Sequence, residues 1–249
     1  MLRDGGNDLQ KSRKKKSTSS GVVVTKGETK QYGDYLTTQI FTASKGKNKL
    51  ISVEYPIAGS DLLITAIRTY INSQLIEHDS DEDMTCTLPT PETLIRHAFK
   101  RESSEGNDFE TIINVSFFNS RIITLTREGY VYTRNFDINT DRGATFLIND
   151  GKIFQDVIDI TSIKSLILNN AEPVNPDCLW GSLSEYISNY KNQLDDVDYS
   201  NLSIYILEDS VYFNDIMSGE YPSPAAYIKG VIPIYQIKDK VSQEAQEFF

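Results

Sequence analysis

Apolar residues recur at two spacings along this chain, and the two spacings alternate. Around residues 35–41 and 49–55, β-branched and aromatic residues flank the Gly-containing turn at 44–48, which predicts a pair of strands. Pro56 is expected to end the second strand. Beyond it, Leu63, Ala66, Ile67, Tyr70, Ile71 and Leu75 recur at threes and fours, a helix capped by Ser60 or Asp61 and running to about Ile76. A second helix begins at Thr90, with Pro91 in its first position and Leu94, Ile95, Ala98 and Phe99 as its buried stripe. Period-two runs then return. Strands are predicted over 109–118, 121–126 and 130–138, with turns at Asn119-Ser120 and Glu128-Gly129, followed by another over 144–148. Helical patterns cover 161–168 and 179–190. A hairpin turns at Glu208-Asp209, and a last strand spans 231–235 with Pro233 at an edge or bulge.

The sum is an α+β fold, an antiparallel sheet with helices over one face. The polar break at 106–108 suggests two modules, 34–105 and 106–249. Residues 1–33 are rich in Lys, Ser, Thr and Gly and read as a flexible basic tail.

With 249 residues and 39% hydrophobic content, the chain is long enough to bury a full core. Its net charge is −10, and six of its 25 basic residues fall within the first sixteen positions. The remainder is therefore more acidic than the total conveys, which disfavours nucleic acid and anionic lipid as partners. No apolar run approaches the ~20 residues of a membrane span. The first twenty residues lack a secretory core, so export implies a leader outside this sequence. No cysteine stands near the N-terminus to take a lipid. Cys86 and Cys178 are too few for a zinc site; a disulfide between them and two unrelated thiols both fit.

Candidate chemistry is sparse. Asp137, Asn139 and Asp141 offer oxygens at alternate positions like the start of a calcium loop, but the glycine comes one place late and Ile148 stands where a bidentate Glu belongs. The acidic runs Asp79–Asp83 and Asp195–Asp198 read as solvated loops. His78 and His97 are the sole histidines and have no partner at ligand spacing. No nucleophile elbow or phosphate-binding loop occurs. These observations predict a non-catalytic protein without a cofactor or metal.

The aromatic set Tyr205, Tyr212, Phe213, Tyr221, Tyr227 and Tyr235 is more informative. Within it, Tyr221-Pro222-Ser223-Pro224-Ala225-Ala226-Tyr227 forms a Tyr/Pro-rich loop suited to contact a protein or a sugar ring. Tyr221, Pro222, Pro224 and Tyr227 are the expected ligand-binding residues.

Three segments carry a resemblance: Ile51-Ser52-Val53-Glu54-Tyr55-Pro56-Ile57 with the helix after it, the Asn135-Phe136-Asp137 stretch with Ile153-Phe154-Gln155-Asp156, and residues 211–235. Together they resemble a two-module family of secreted bacterial domains of unknown function. That family occurs in the extracellular part of the lysozyme-sensing anti-sigma factor RsiV, beside the catalytic domain of the peptidoglycan deacetylase PdaC, and in envelope proteins of Bacteroides-type bacteria. The Tyr-x-Gly-Gly-Ala-His segment of many members is replaced here by residues 128–134, and the deacetylase motifs are absent, so neither role transfers. The resemblance implies an extracytoplasmic, periplasmic or cell-surface, binding or sensing module whose partner is an envelope protein, a cell-wall glycan or lysozyme. The alternatives are an envelope hydrolase centred on His78 and Asp79–Asp83, and a cytoplasmic interaction protein.

Overall fold

A computed structural model describes residues 22–76, 89–104, 108–132, 137–139, 141–174, 182–196, 199, 201–216 and 227–249. The described chain begins with three strands, β1 (Val24–Tyr32), β2 (Leu36–Ser44) and β3 (Lys49–Gly59), joined as antiparallel neighbours. Helices α1 (Asp61–Leu75) and α2 (Pro91–Ser104) follow. The Ser60 side chain accepts the Leu63 amide, and the Thr90 hydroxyl accepts the Thr93 amide, so both helices start on the caps the sequence provides. The crossover returns through β4 (Asp108–Phe118), which pairs in parallel with β3. β5 (Ile122–Tyr132) pairs antiparallel with β4, and its far side is shared by β6 (Asp137–Asn139) and β7 (Arg142–Leu147).

Short α3 (Phe154–Val157) and α4 (Ile160–Asn170) lead to β8 (Glu172–Pro173) and α5 (Leu183–Asp195). A second sheet, in the order β8-β11-β10-β9, contains β9 (Ser203–Leu207), β10 (Ser210–Ile216) and β11 (Tyr227–Pro233). Two single-turn helices, α6 (Ile234–Ile237) and α7 (Gln243–Gln246), close the described chain. The architecture is α+β and mostly antiparallel. None of the described helices is long and apolar enough to cross a membrane.

The two sheets meet at β5 and β7, whose side chains alternate between two cores. Ile123, Leu125 and Phe146 join the stripes of α1 and α2 on one face. Ile122 and Leu147 join α4, α5 and the second sheet on the other. β3 and β4 flank the break at 106–108, so strands from both sides of that break share one sheet.

Several expectations are corrected. The stretch expected to be a flexible tail to residue 33 contains β1, an edge strand anchored on β2, while residues 1–21 lie outside those described. β3 passes through Pro56 because β4 pairs with it only as far as Val53. Pro56 therefore sits where one side of the strand is already unpaired, opposite a register shift in β2. Glu128-Gly129 is no turn; β5 continues through it, with Glu128 opposite Ile112 and Gly129 opposite Thr111. α5 starts at Leu183 rather than 179, and the last strand occupies Tyr227–Pro233, giving way to α6 at Ile234.

Candidate binding face

β10 and β11 place alternate side chains on the face of the second sheet opposite its core. Tyr205, Tyr212 and Val231 fall in one cross-strand row, because Tyr205 is opposite Tyr212 and Tyr212 opposite Val231. The next row runs Ser203, Asn214, Lys229 and Glu172. The Tyr205 and Tyr212 rings stack with centroids 5.8 Å apart and planes 18° from parallel. Asn214 Nδ2 donates to Tyr205 Oη at 3.1 Å and fixes the inner ring. Tyr205, Tyr212, Val231, Asn214, Lys229 and Glu172, with Asp141, line an open cleft of about 450 Å³.

Glycine makes this geometry possible at two points. A Cβ on Gly143 would lie 2.4–2.7 Å from the Tyr205 ring, so the ring packs directly on bare backbone. A Cβ on Gly230 would strike the Phe213 ring and the Asn170 carbonyl at 2.2–2.4 Å. Burial pushes the Tyr205 phenol up to about 12, against the Asn214 bond that lowers it. Lys229 and Glu172 approach to 3.6 Å with both side chains at least half exposed, so their pairing contributes little. Val231 is 42% exposed and presents apolar surface at the mouth.

The expected loop meets this face at its end. Tyr227 is the first residue of β11, half-buried, with its carbonyl accepting Val174 N at 2.9 Å; Tyr221, Pro222 and Pro224 lie outside the described residues. His78, Asp79–Asp83, Cys86 and Cys178 lie outside them too. His97 is exposed on α2. Asp137 and Asn139 belong to strand β6, and the Asp141 carboxylate accepts the Gly129 amide at 3.4 Å. Asp195 pairs with Lys164. Among the described residues no three His, Cys, Asp or Glu side chains gather as metal ligands.

A second polar centre went unread in the sequence. Glu54, 2% exposed, projects from β3 away from the helices. Its carboxylate accepts bonds from Tyr32 Oη at 2.5 Å, Thr38 Oγ1 at 2.6 Å, Lys30 Nζ at 3.2 Å and Val115 N at 3.4 Å. The donors come from β1, β2 and β4, so the cluster ties four strands of the first sheet together. The available signal was period: Glu54 stands between Val53 and Tyr55 in a strand with both faces covered.

No family model matches the sequence, and no curated protein matches it. Among solved structures the chain is similar to a member of the DUF3298 family from Bacteroides fragilis NCTC 9343, with a TM-score of 0.53 at 10% identity, covering 88% of this chain and 99% of that one. It is also similar to a DUF3298 family protein from Pseudomonas aeruginosa PAO1, with a TM-score of 0.44 at 12% identity over 90% and 96% of the two chains. The Bacteroides protein shares this fold.

Proposed function

We propose that this protein is a non-catalytic binding module of the bacterial envelope, and that it takes a cell-wall glycan on the tyrosine face of its second sheet. The observation that carries this reading is the Tyr205–Tyr212 stack flooring an open cleft rimmed by Asn214, Asp141 and Lys229. Sugar rings present apolar C–H faces and equatorial hydroxyls. Rigid aromatic faces take the former, and amide, carboxylate and ammonium groups take the latter. The envelope setting rests on the sequence resemblance, and Tyr227, at the start of β11, stands on the same face of the strand as Lys229 and Val231.

Calorimetric titration with soluble muramyl- and N-acetylglucosamine oligosaccharides tests the reading. Tyr212→Ala should weaken binding about tenfold, roughly 1.4 kcal/mol, while the melting temperature stays near that of the unaltered chain. Absence of saccharide binding, or affinity unchanged in Tyr212→Ala, would overturn it. Lysozyme serves as the contrasting ligand, since its basic surface is drawn to an acidic body by charge alone. Attraction that disappears as salt rises would mark it as non-specific.

A further inference from the structure

Beside the tyrosine cleft lies a second cavity of about 210 Å³, between α1, β7 and the start of β9. Tyr70, Gln74, Arg142, Gln155, Asp156 and Ser203 contribute its polar lining. Two of these are already committed. The Gln155 amide donates to Leu202 O at 2.7 Å and accepts from Ile204 N at 3.4 Å. The Ser203 hydroxyl donates to Gly143 O and accepts from Gly143 N, both at 2.9 Å.

What remains inside is a set of donors. The Tyr70 hydroxyl is buried and has no hydrogen-bond partner. Such a group costs about 1–3 kcal/mol unless something pairs with it. Its ring is held edge-on to Phe146 at 5.8 Å, so it cannot swing out to water without leaving the core. Arg142 makes no hydrogen bond or ion pair with any described carboxylate. It sits directly opposite Arg127 in the β5–β7 ladder. Both guanidiniums lie near enough to Tyr70 to oppose the upward pull of burial on its phenol. Gln74 spends one N–H on Ser73 and keeps another. The single anionic group of the lining, Asp156, is exposed and belongs to the rim.

We infer that this cavity binds a small organic carboxylate, received by the Arg142 guanidinium and the Tyr70 hydroxyl. Guanidinium and carboxylate match in a planar two-bond geometry. Asp156 at the mouth repels a multiply charged anion and favours a ligand whose far end is neutral or cationic, such as an amino acid or the free end of a short peptide. This site is independent of the glycan reading, since its lining shares no residue with that of the tyrosine cleft.

Thermal unfolding of the whole chain in the presence of L-alanine, the dipeptide alanyl-alanine, acetate or inorganic phosphate tests the inference. The melting temperature should rise with carboxylate concentration and level off at saturation, with alanine and its dipeptide ahead of acetate and phosphate last. Arg142→Gln should weaken the alanine response at least about tenfold. Tyr70→Phe should leave the ligand-free protein as stable or more so, because it removes an unpaired buried hydroxyl, and still weaken the alanine response. No response to any carboxylate, an unchanged response in Arg142→Gln or in Tyr70→Phe, or a phosphate response equal to that of alanine would each overturn it.

Discussion

Glu54 is the residue on which most of the first sheet's polar order depends. A buried carboxylate with four donors is tolerable because each lone pair it brings is met. Glu54→Gln keeps the shape but turns an N–H pair toward groups that can only donate, or toward hydroxyls that must turn round. Urea denaturation should show a loss of about 2 kcal/mol. The buried tyrosines set a second residue-scale property. Burial raises the phenol pKa of Tyr32, Tyr70, Tyr190 and Tyr205, for Tyr205 to about 12, and Asp215 adds to the effect at Tyr190. In the unfolded chain these groups ionise near the usual value of about 10. Above that pH the folded state holds protons the unfolded state has released, so stability is intact below pH ~10 and falls as pH rises beyond it. Absorbance at 295 nm and circular dichroism followed together should show these tyrosines ionising only as the protein unfolds. Ionisation of all fourteen at pH ~10 with the fold intact would contradict the burial described.

At the scale of elements, the seam between the sheets is built from side chains that stand in for a strand. β9 is the edge of its sheet, and its outward-facing backbone groups would ordinarily be bare. Instead Ile206 N donates to Thr145 Oγ1 at 2.7 Å, and Thr124 Oγ1 donates to Ile206 O at 2.7 Å. Gln155 does the same for Ile204 N and Leu202 O. Thr145→Val preserves volume and branching but orphans a buried amide. It should cost about 1–3 kcal/mol, and Thr124→Val combined with it should cost less than the sum of the two, as measured by a double-mutant cycle in urea.

This seam also marks where the sequence stopped being legible. α1, α2, the β2–β3 pair and the Glu208-Asp209 hairpin were readable because caps, periodicity and turn residues are local signals. The Thr124–Thr145 contact joins residues 21 apart and then reaches β9, 82 residues from Thr124, and no local pattern encodes that. β1 was missed because both its faces are largely polar, so it shows no alternation. The tyrosine face was half legible: Tyr205, Tyr212 and Tyr227 stood out as aromatics, but the stack depends on cross-strand register and on Gly143 leaving room for a ring. The carboxylate cavity was invisible, since its donors come from α1 and β7.

Across the whole molecule, the cores on the two faces of β5 and β7 share the strands between them. Removing either core exposes one face of the same two strands, so both should be lost together. Calorimetry should give one transition with matching calorimetric and van't Hoff enthalpies. The stretch 34–105 made alone lacks β4, β5 and β7, and with them Phe109, Ile113, Ile123, Leu125 and Phe146 of its core. It should show little ordered structure by circular dichroism, and a stable, cooperatively folding fragment would refute the shared-strand view. The seam has a further meaning once chains meet one another. A bare strand edge is a template onto which a second chain can add, and the Thr and Gln side chains at β9 occupy that template internally. The Thr124/Thr145 pair is therefore a guard on solubility as much as a source of stability: a variant lacking both hydroxyls frees a strand edge rich in isoleucine, and warmed samples of it should clump edge to edge well before they unfold.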